Sequence, residues 1–215
     1  MKAKIWALAL GMIALGSTAV AQERTTFGIR AGVNFQNING EDEQGRDLDN
    51  KLKTGFHVGV NAEIPVAPEF YLQPGVLFST KGAKSEDDDK TNISYIEVPV
   101  NFVYKPTLGT GKLILGIGPY VGFGIGGKVK ADNGDEADIE FKNDLDAGDL
   151  LDDNLYMKRL DLGGNLLAGY EFSNKFSVQL NAQLGMVNLN PKFEGEKPDA
   201  KAKNTGFGVS VGYRF

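Results

Sequence analysis

Cysteine is missing from all 215 residues, and histidine occurs once, at His57. The first absence excludes disulfides, thiolate metal sites and cysteine nucleophiles, so stability must come from packing and backbone pairing. Long apolar runs are also missing beyond residue 16, and nothing later approaches the ~20 apolar residues that a spanning helix needs. Any membrane insertion is therefore by strands. Basic charge is short as well: with Lys2 and Lys4 set aside, 23 basic residues fall to 21 against 28 acidic ones, a net charge of −7. Such an acidic surface argues against nucleic acid as a partner.

Those two lysines precede an apolar run from Ile5 to Gly16, and Ala19-Val20-Ala21 has the small-residue spacing that a signal peptidase needs. Residues 1–21 are read as a secretory signal peptide, with Gln22 the mature start and 22–215 a single domain. A composition of 41% hydrophobic and 24% charged positions suits an ordered domain of that size.

The domain alternates with a period of two. The last segment is the clearest, with Phe207, Val209, Val211, Tyr213 and Phe215 on one side and Gly206, Gly208, Ser210, Gly212 and Arg214 on the other. Seven earlier segments alternate in the same sense, at 26–36, 54–64, 70–81, 93–104, 112–126, 158–172 and 176–187. A flat terminal strand left unpaired invites aggregation, and pairing 204–215 with the first segment closes a barrel. The links at 65–69, 105–111 and 173–175 are short, whereas those at 37–53, 82–92, 127–157 and 188–203 are long and polar. Short periplasmic turns and long external loops mark outer-membrane barrels. The predicted fold is all-β, an eight-stranded antiparallel up-and-down transmembrane β-barrel in the outer membrane, with both termini periplasmic.

Alternation alone does not say which face points out, because a soluble lipocalin-like barrel would bury its bulky face. Three features choose the membrane. The small face carries charges while the bulky face is nearly free of them. Aromatics sit at both ends of the bulky face: Phe35, Phe56, Phe78, Phe123 and Phe207 near the long loops, and Phe27, Phe70, Tyr104, Tyr170, Phe176, Tyr213 and Phe215 near the short turns. Girdles of this kind flank an outer-membrane apolar band. The eight steps from Phe27 to Phe35, at ~3.3 Å per residue and ~40° tilt, give roughly 20 Å of height. Pro74, Pro99 and Pro119 fall inside strands and lack a ladder donor, which predicts bulges there or local water from the interior.

Around these prolines the chain resembles the PorT-like outer-membrane β-barrel family of Bacteroidota. The motifs are Leu72-Gln73-Pro74-Gly75-Val76-Leu77-Phe78-Ser79 with Lys81-Gly82, Tyr95-Ile96-Glu97-Val98-Pro99, Gly118-Pro119-Tyr120-Val121-Gly122-Phe123-Gly124, and Leu160-Asp161-Leu162-Gly163 with Ala168-Gly169-Tyr170-Glu171-Phe172. Gly75 departs from the acidic residue associated with its position, so no role passes to it. The resemblance implies an integral outer-membrane protein and no particular activity.

The interior polar network is predicted to comprise Arg30, His57, Glu63, Glu97, Arg159, Asp161, Glu171 and Arg214. Arg30 and Arg214 should share Glu63 and Glu171 at the short-turn end, while His57, Glu97, Arg159 and Asp161 group at the other. Eight strands enclose a lumen just wide enough for side chains to fill, so no solute pore is expected. His57 faces inward without an H-x-S spacing, which reads as a hydrogen-bonded interior histidine and not as the base of a lipid-modifying enzyme. Gly116 to Gly127 precedes no helix, which excludes a phosphate loop; these glycines should make room for side chains across the lumen. The loop 127–157 is dense in acids, from Asp132 to Asp152 and Asp153, and 82–92 carries Glu86, Asp87, Asp88 and Asp89. The Asp132-Asn133-Gly134-Asp135 order does not fit an EF-hand, so these are solvated loops first and divalent-cation bridges to lipopolysaccharide second.

No residue is assigned to catalysis, to a cofactor or to a metal. Val211, Tyr213 and Phe215 resemble the C-terminal signal read by barrel-assembly machinery. The expectation is a non-enzymatic platform in the envelope, tied to protein export or envelope assembly and in contact with outer-membrane lipid, lipopolysaccharide and envelope proteins. A lipid-modifying enzyme and a soluble ligand-binding barrel are the alternatives.

Overall fold

The computed structural model describes residues 24–85, 89–149 and 154–215. The signal peptide, Gln22, Glu86, Asp87, Asp88, Asp152 and Asp153 lie outside the described residues. Eight long strands form the wall: β1 Thr26–Glu41, β2 Lys53–Ala67, β3 Phe70–Lys84, β4 Lys90–Tyr104, β5 Gly111–Lys130, β6 Leu160–Glu171, β7 Phe176–Gly185 and β8 Lys201–Arg214. Each pairs antiparallel with its neighbours in sequence, and β8 returns to β1 with Phe35 opposite Phe207 and Ile29 opposite Tyr213. The barrel is closed, so no long edge is left to aggregate.

Several strands run further than their hydrophobic alternation. β1 continues to Glu41, whose carboxylate takes the Lys201 ammonium at 2.8 Å, and β3 and β4 stay paired up to Lys84 and Lys90. Backbone pairing continues above the lipid-facing band because the side chains there meet water on the outer face and pack on Ile38, Ala83, Ile93 and Ala202 on the inner one. The loops hold strands of their own: Glu136–Phe141 pairs with the end of β5 and with Leu155–Met157, and Asp144–Leu145 pairs with Lys192–Phe193.

The bulges predicted at Pro74, Pro99 and Pro119 are not there. Pro74 opposite Val100 and Leu77 opposite Glu97 share one register, as do Pro99 opposite Tyr120 and Phe102 opposite Ile117. The three prolines lie on adjacent strands, so the ladder omits a few pairs locally and resumes without slipping. Register shifts occur instead between Pro65 and Ala67, and between Ser94 and Tyr95, where Ile125 is the extra residue between Gly124 and Gly126. Beyond that bulge the faces of β5 exchange. Val129 then packs inward while Lys128 and Lys130 stay exposed.

The bulky face points outward. Phe27, Ile117, Leu180 and Val211 are each about 60% exposed, whereas Asn34, Gln73, Ser79, Asn101 and Ser210 are buried inside. A soluble ligand-binding barrel would show the reverse. Around the rim near the long loops, Phe35 meets Phe207 at 5.3 Å and Phe56 meets Phe78 at 5.7 Å. Around the other, Phe70 stacks on Tyr104 at 4.7 Å and Phe176 meets Tyr213 at 4.9 Å.

Candidate functional site: the charged lumen

Eight strands leave an interior that side chains must fill, and here they fill it in layers. Nearest the short turns, Glu63 on β2 accepts from Lys105 Nζ at 2.8 Å, from Arg214 Nη2 at 2.9 Å and from Gln73 Nε2 at 3.2 Å. Lys105 also donates to Glu171 at 2.8 Å, and Arg214 Nη1 donates to Asn61 Oδ1 at 2.6 Å. Nearest the long loops, the fully buried Lys81 lies 2.7 Å from Glu97 and 3.0 Å from Asp161. Asp161 accepts further from Tyr120 Oη and Asn204 Nδ2, and Glu97 from Gln183 Nε2. Buried carboxylates survive only when paired and hydrogen-bonded, and both of these are.

Between the layers lie Arg30 and His57. Asn34 Nδ2 donates to Ser79 Oγ at 3.1 Å, which turns Asn34 Oδ1 toward the imidazole at 2.7 Å. His57 Nδ1 therefore carries the proton and donates. Among the described residues Arg30 meets no carboxylate within ion-pair distance, so the predicted sharing of Glu63 and Glu171 with Arg30 does not occur. Its charge nonetheless counts toward the balance. Arg30, Lys81, Lys105 and Arg214 face Glu63, Glu97, Asp161 and Glu171, with the half-buried Lys112 beside Tyr71 at the short-turn end.

The predicted upper grouping is corrected in a second way. Glu97 and Asp161 meet only through Lys81, His57 sits a layer below, and Arg159 is not in the lumen at all. β6 begins at Leu160, which leaves Arg159 exposed at the mouth with its guanidinium 5.5 Å from the Phe141 ring. Lys81 and Lys105 are the cations that the sequence reading missed. Lys81 ends the inward series Gln73, Leu77, Ser79, Lys81 inside the segment 70–81, and Lys105 follows Glu97, Asn101 and Val103 one step past the end of β4, so the same alternation places both inside.

Apolar groups seal both ends. At the mouth Ile38, Ile93, Tyr95, Ile139, Leu189 and Ala202 form one cluster, with Phe141 folded in from its loop strand. At the other end Tyr71, Val103, Ile114 and Leu167 form a second. The glycines of β5 and β6 serve neighbours on the same wall and not the opposite one. A Cβ on Gly124 would stand 2.5 Å from the Phe141 ring, and one on Gly163 would stand 2.7 Å from the Tyr120 ring. Gly163→Val is therefore expected to push Tyr120 off Asp161 and cost about 1–3 kcal/mol through overpacking, read as a lowered urea midpoint in detergent.

Arg214→Leu should cost less than an isolated buried charge, about 1–3 kcal/mol, because Glu63 keeps Lys105 and Gln73. An unchanged midpoint would contradict the lower layer. Above the barrel, the Lys142 ammonium and the Asp146 N–H bind Asp149 and hold its carboxyl below the ordinary aspartate range. That contribution is present above the usual aspartate pKa and lost as pH falls through the depressed folded value. The protection factors of amides 142–149, which remove the intrinsic pH dependence of exchange, are expected to fall on acidification, and Asp149→Asn to abolish the response.

An apolar exterior, an ionic interior and a closed ladder define a transmembrane β-barrel. The sequence profile of the outer membrane protein beta-barrel domain matches residues 20–190. The chain belongs to that family and is an outer-membrane β-barrel protein. No curated protein matches it. Among solved structures, Ail of Yersinia pestis is 15% identical, with 90% of this chain and 100% of that chain covered and a TM-score of 0.44. Neisserial surface protein A is 12% identical with the same coverage and a TM-score of 0.46. A major outer membrane protein of Thermus thermophilus is 12% identical, again with that coverage, at 0.42. Likeness at these scores carries no functional weight.

Proposed function

We propose that this protein is a non-enzymatic platform of the outer membrane, with both termini periplasmic, its long loops outside, and its partners drawn from envelope proteins engaged in export or envelope assembly. The observation that carries the reading is where the sole histidine sits. His57 is buried in the lumen, hydrogen-bonded to Asn34, behind apolar seals, out of reach of any lipid substrate. The charge-filled lumen supports the same reading, since it offers no path to a solute. The narrower PorT-like resemblance, and with it a bacteroidotal origin, belongs to this proposal. So does recognition of Val211, Tyr213 and Phe215 by the assembly machinery. Crosslinking in native membranes followed by affinity capture is expected to recover one recurrent envelope protein. Release of fatty acid, or acyl transfer, from lipid in mixed micelles by the purified barrel would overturn the reading in favour of a lipid-modifying enzyme.

A further inference from the structure

The bulge at Ile125 turns Lys128 and Lys130 to the outer surface just above the membrane. Past it, Lys128 lies opposite Asn92, and Lys130 lies directly opposite Lys90, an arrangement in which like charges repel. The strand Glu136–Phe141 pairs with the same end of β5 and forms one side of an open groove of about 590 Å³ on the outer face, lined by Asn92, Ser94, Lys128, Lys130, Glu136 and Asp138 among others. That volume lies within the range of small-ligand sites. A Cβ on Gly126 would meet nothing within 4 Å, so the floor is open.

Position narrows the occupant. Lys128 lies about four strand steps above Phe123 of the aromatic girdle, roughly 10 Å higher, which is headgroup depth. Directly below the groove the wall is lipid-facing, with Phe123 46% and Ile125 57% exposed beside Ile96. Glu136 meets Lys128 at 3.3 Å and Lys130 at 3.4 Å, and Asp138 meets Lys128 at 3.8 Å, all among exposed side chains. Surface pairs of this kind are weak, so a doubly charged phosphate can displace them.

We propose that the groove binds the phosphorylated sugar headgroup of an outer-leaflet glycolipid. Lys128 and Lys130 meet the phosphate, Asn92 and Ser94 meet sugar hydroxyls, and an acyl chain runs down over Ile125, Phe123 and Ile96. The inference rests on the reading that the long loops face outside.

Native mass spectrometry of the purified barrel, with bis-phosphorylated lipid A and its dephosphorylated form as probes, tests it. The phosphorylated lipid is expected to be retained about tenfold more strongly. Lys128→Gln with Lys130→Gln should remove that preference, and Glu136→Gln, which deletes the competing carboxylate, should raise it. Equal retention of the two lipids, or a preference untouched by the lysine changes, would overturn the proposal. Full displacement by millimolar inorganic phosphate would also overturn it, by showing a site for the free anion. Labelling of single cysteines introduced into the long loops, on intact cells, settles the orientation separately, so the two failures cannot be confused.

Discussion

Lys81→Met is expected to lower the unfolding free energy by about 3–5 kcal/mol, the cost of leaving buried charges without their partner. Lys81 is fully buried and joins Glu97 at 2.7 Å to Asp161 at 3.0 Å, while its ammonium lies 4.3 Å from the Tyr120 ring. Methionine keeps the volume and removes the charge, so two carboxylates would face each other across a dry space. Arg30, which lines the same small gap as Glu97 and holds no carboxylate of its own among the described residues, can offset part of the loss, whereas Lys105 and Arg214 are already held by Glu63 and Glu171. Urea titration in detergent, followed by heat-modifiable gel migration, measures the loss. The triple change Lys81→Met, Glu97→Gln, Asp161→Asn should recover much of it, since a neutral hydrogen-bonded layer carries no unpaired charge. A triple variant as unstable as the single one would mean that the lysine acts by packing.

Deletion of Phe215 is expected to have the largest effect of all, a failure to insert. Phe215 N donates to Phe27 O at 2.8 Å, closing the seam between β8 and β1, and its ring meets Tyr213 at 5.5 Å. Tyr213 in turn meets Phe176, so the end of the chain is tied into the girdle. If Val211, Tyr213 and Phe215 form the signal by which assembly machinery takes up the strand, the truncated protein accumulates outside the membrane fraction and loses heat-modifiable migration. Normal fractionation with only a lowered unfolding temperature would reject the signal and leave Phe215 as a girdle residue.

Most of the wall was legible because a strand with one face in lipid and one in a charged lumen must alternate, and Phe27 to Phe35 or Phe207 to Phe215 can be read in only one phase. The short turns were legible for the same reason. What escaped was set by contacts that alternation does not encode. The end of β5 depends on the loop strand Glu136–Phe141, whose short alternation of Ala137, Ile139 and Phe141 is set in a stretch so acidic that it reads as a solvated loop. The bulge moved from the prolines to Ile125, since neighbouring prolines can share a gap in the ladder whereas Gly124 and Gly126 permit an extra residue. Within the lumen, alternation gives the four carboxylates and also puts Lys81, the last residue of the segment 70–81, on their face, whereas Lys105 lies one step past the apolar period of β4. Arg159 entered that set by the opposite error, from beginning β6 two residues before its pairing starts at Leu160.

The central claim is that the bulky face meets lipid and the small face encloses a filled, water-poor lumen. The absence of native cysteine gives a clean background for placing nitroxide spin labels one at a time along β2, from Phe56 to Asn61, in the bilayer-reconstituted protein. Collisions with oxygen, which concentrates in lipid, and with a water-soluble nickel chelate report what each position meets. Labels at Phe56, Val58 and Val60 are expected to collide with oxygen and not with nickel, while those at His57, Gly59 and Asn61 are shielded from both. Equal oxygen exposure at alternate positions, or nickel access to the inward set, would contradict the barrel as described.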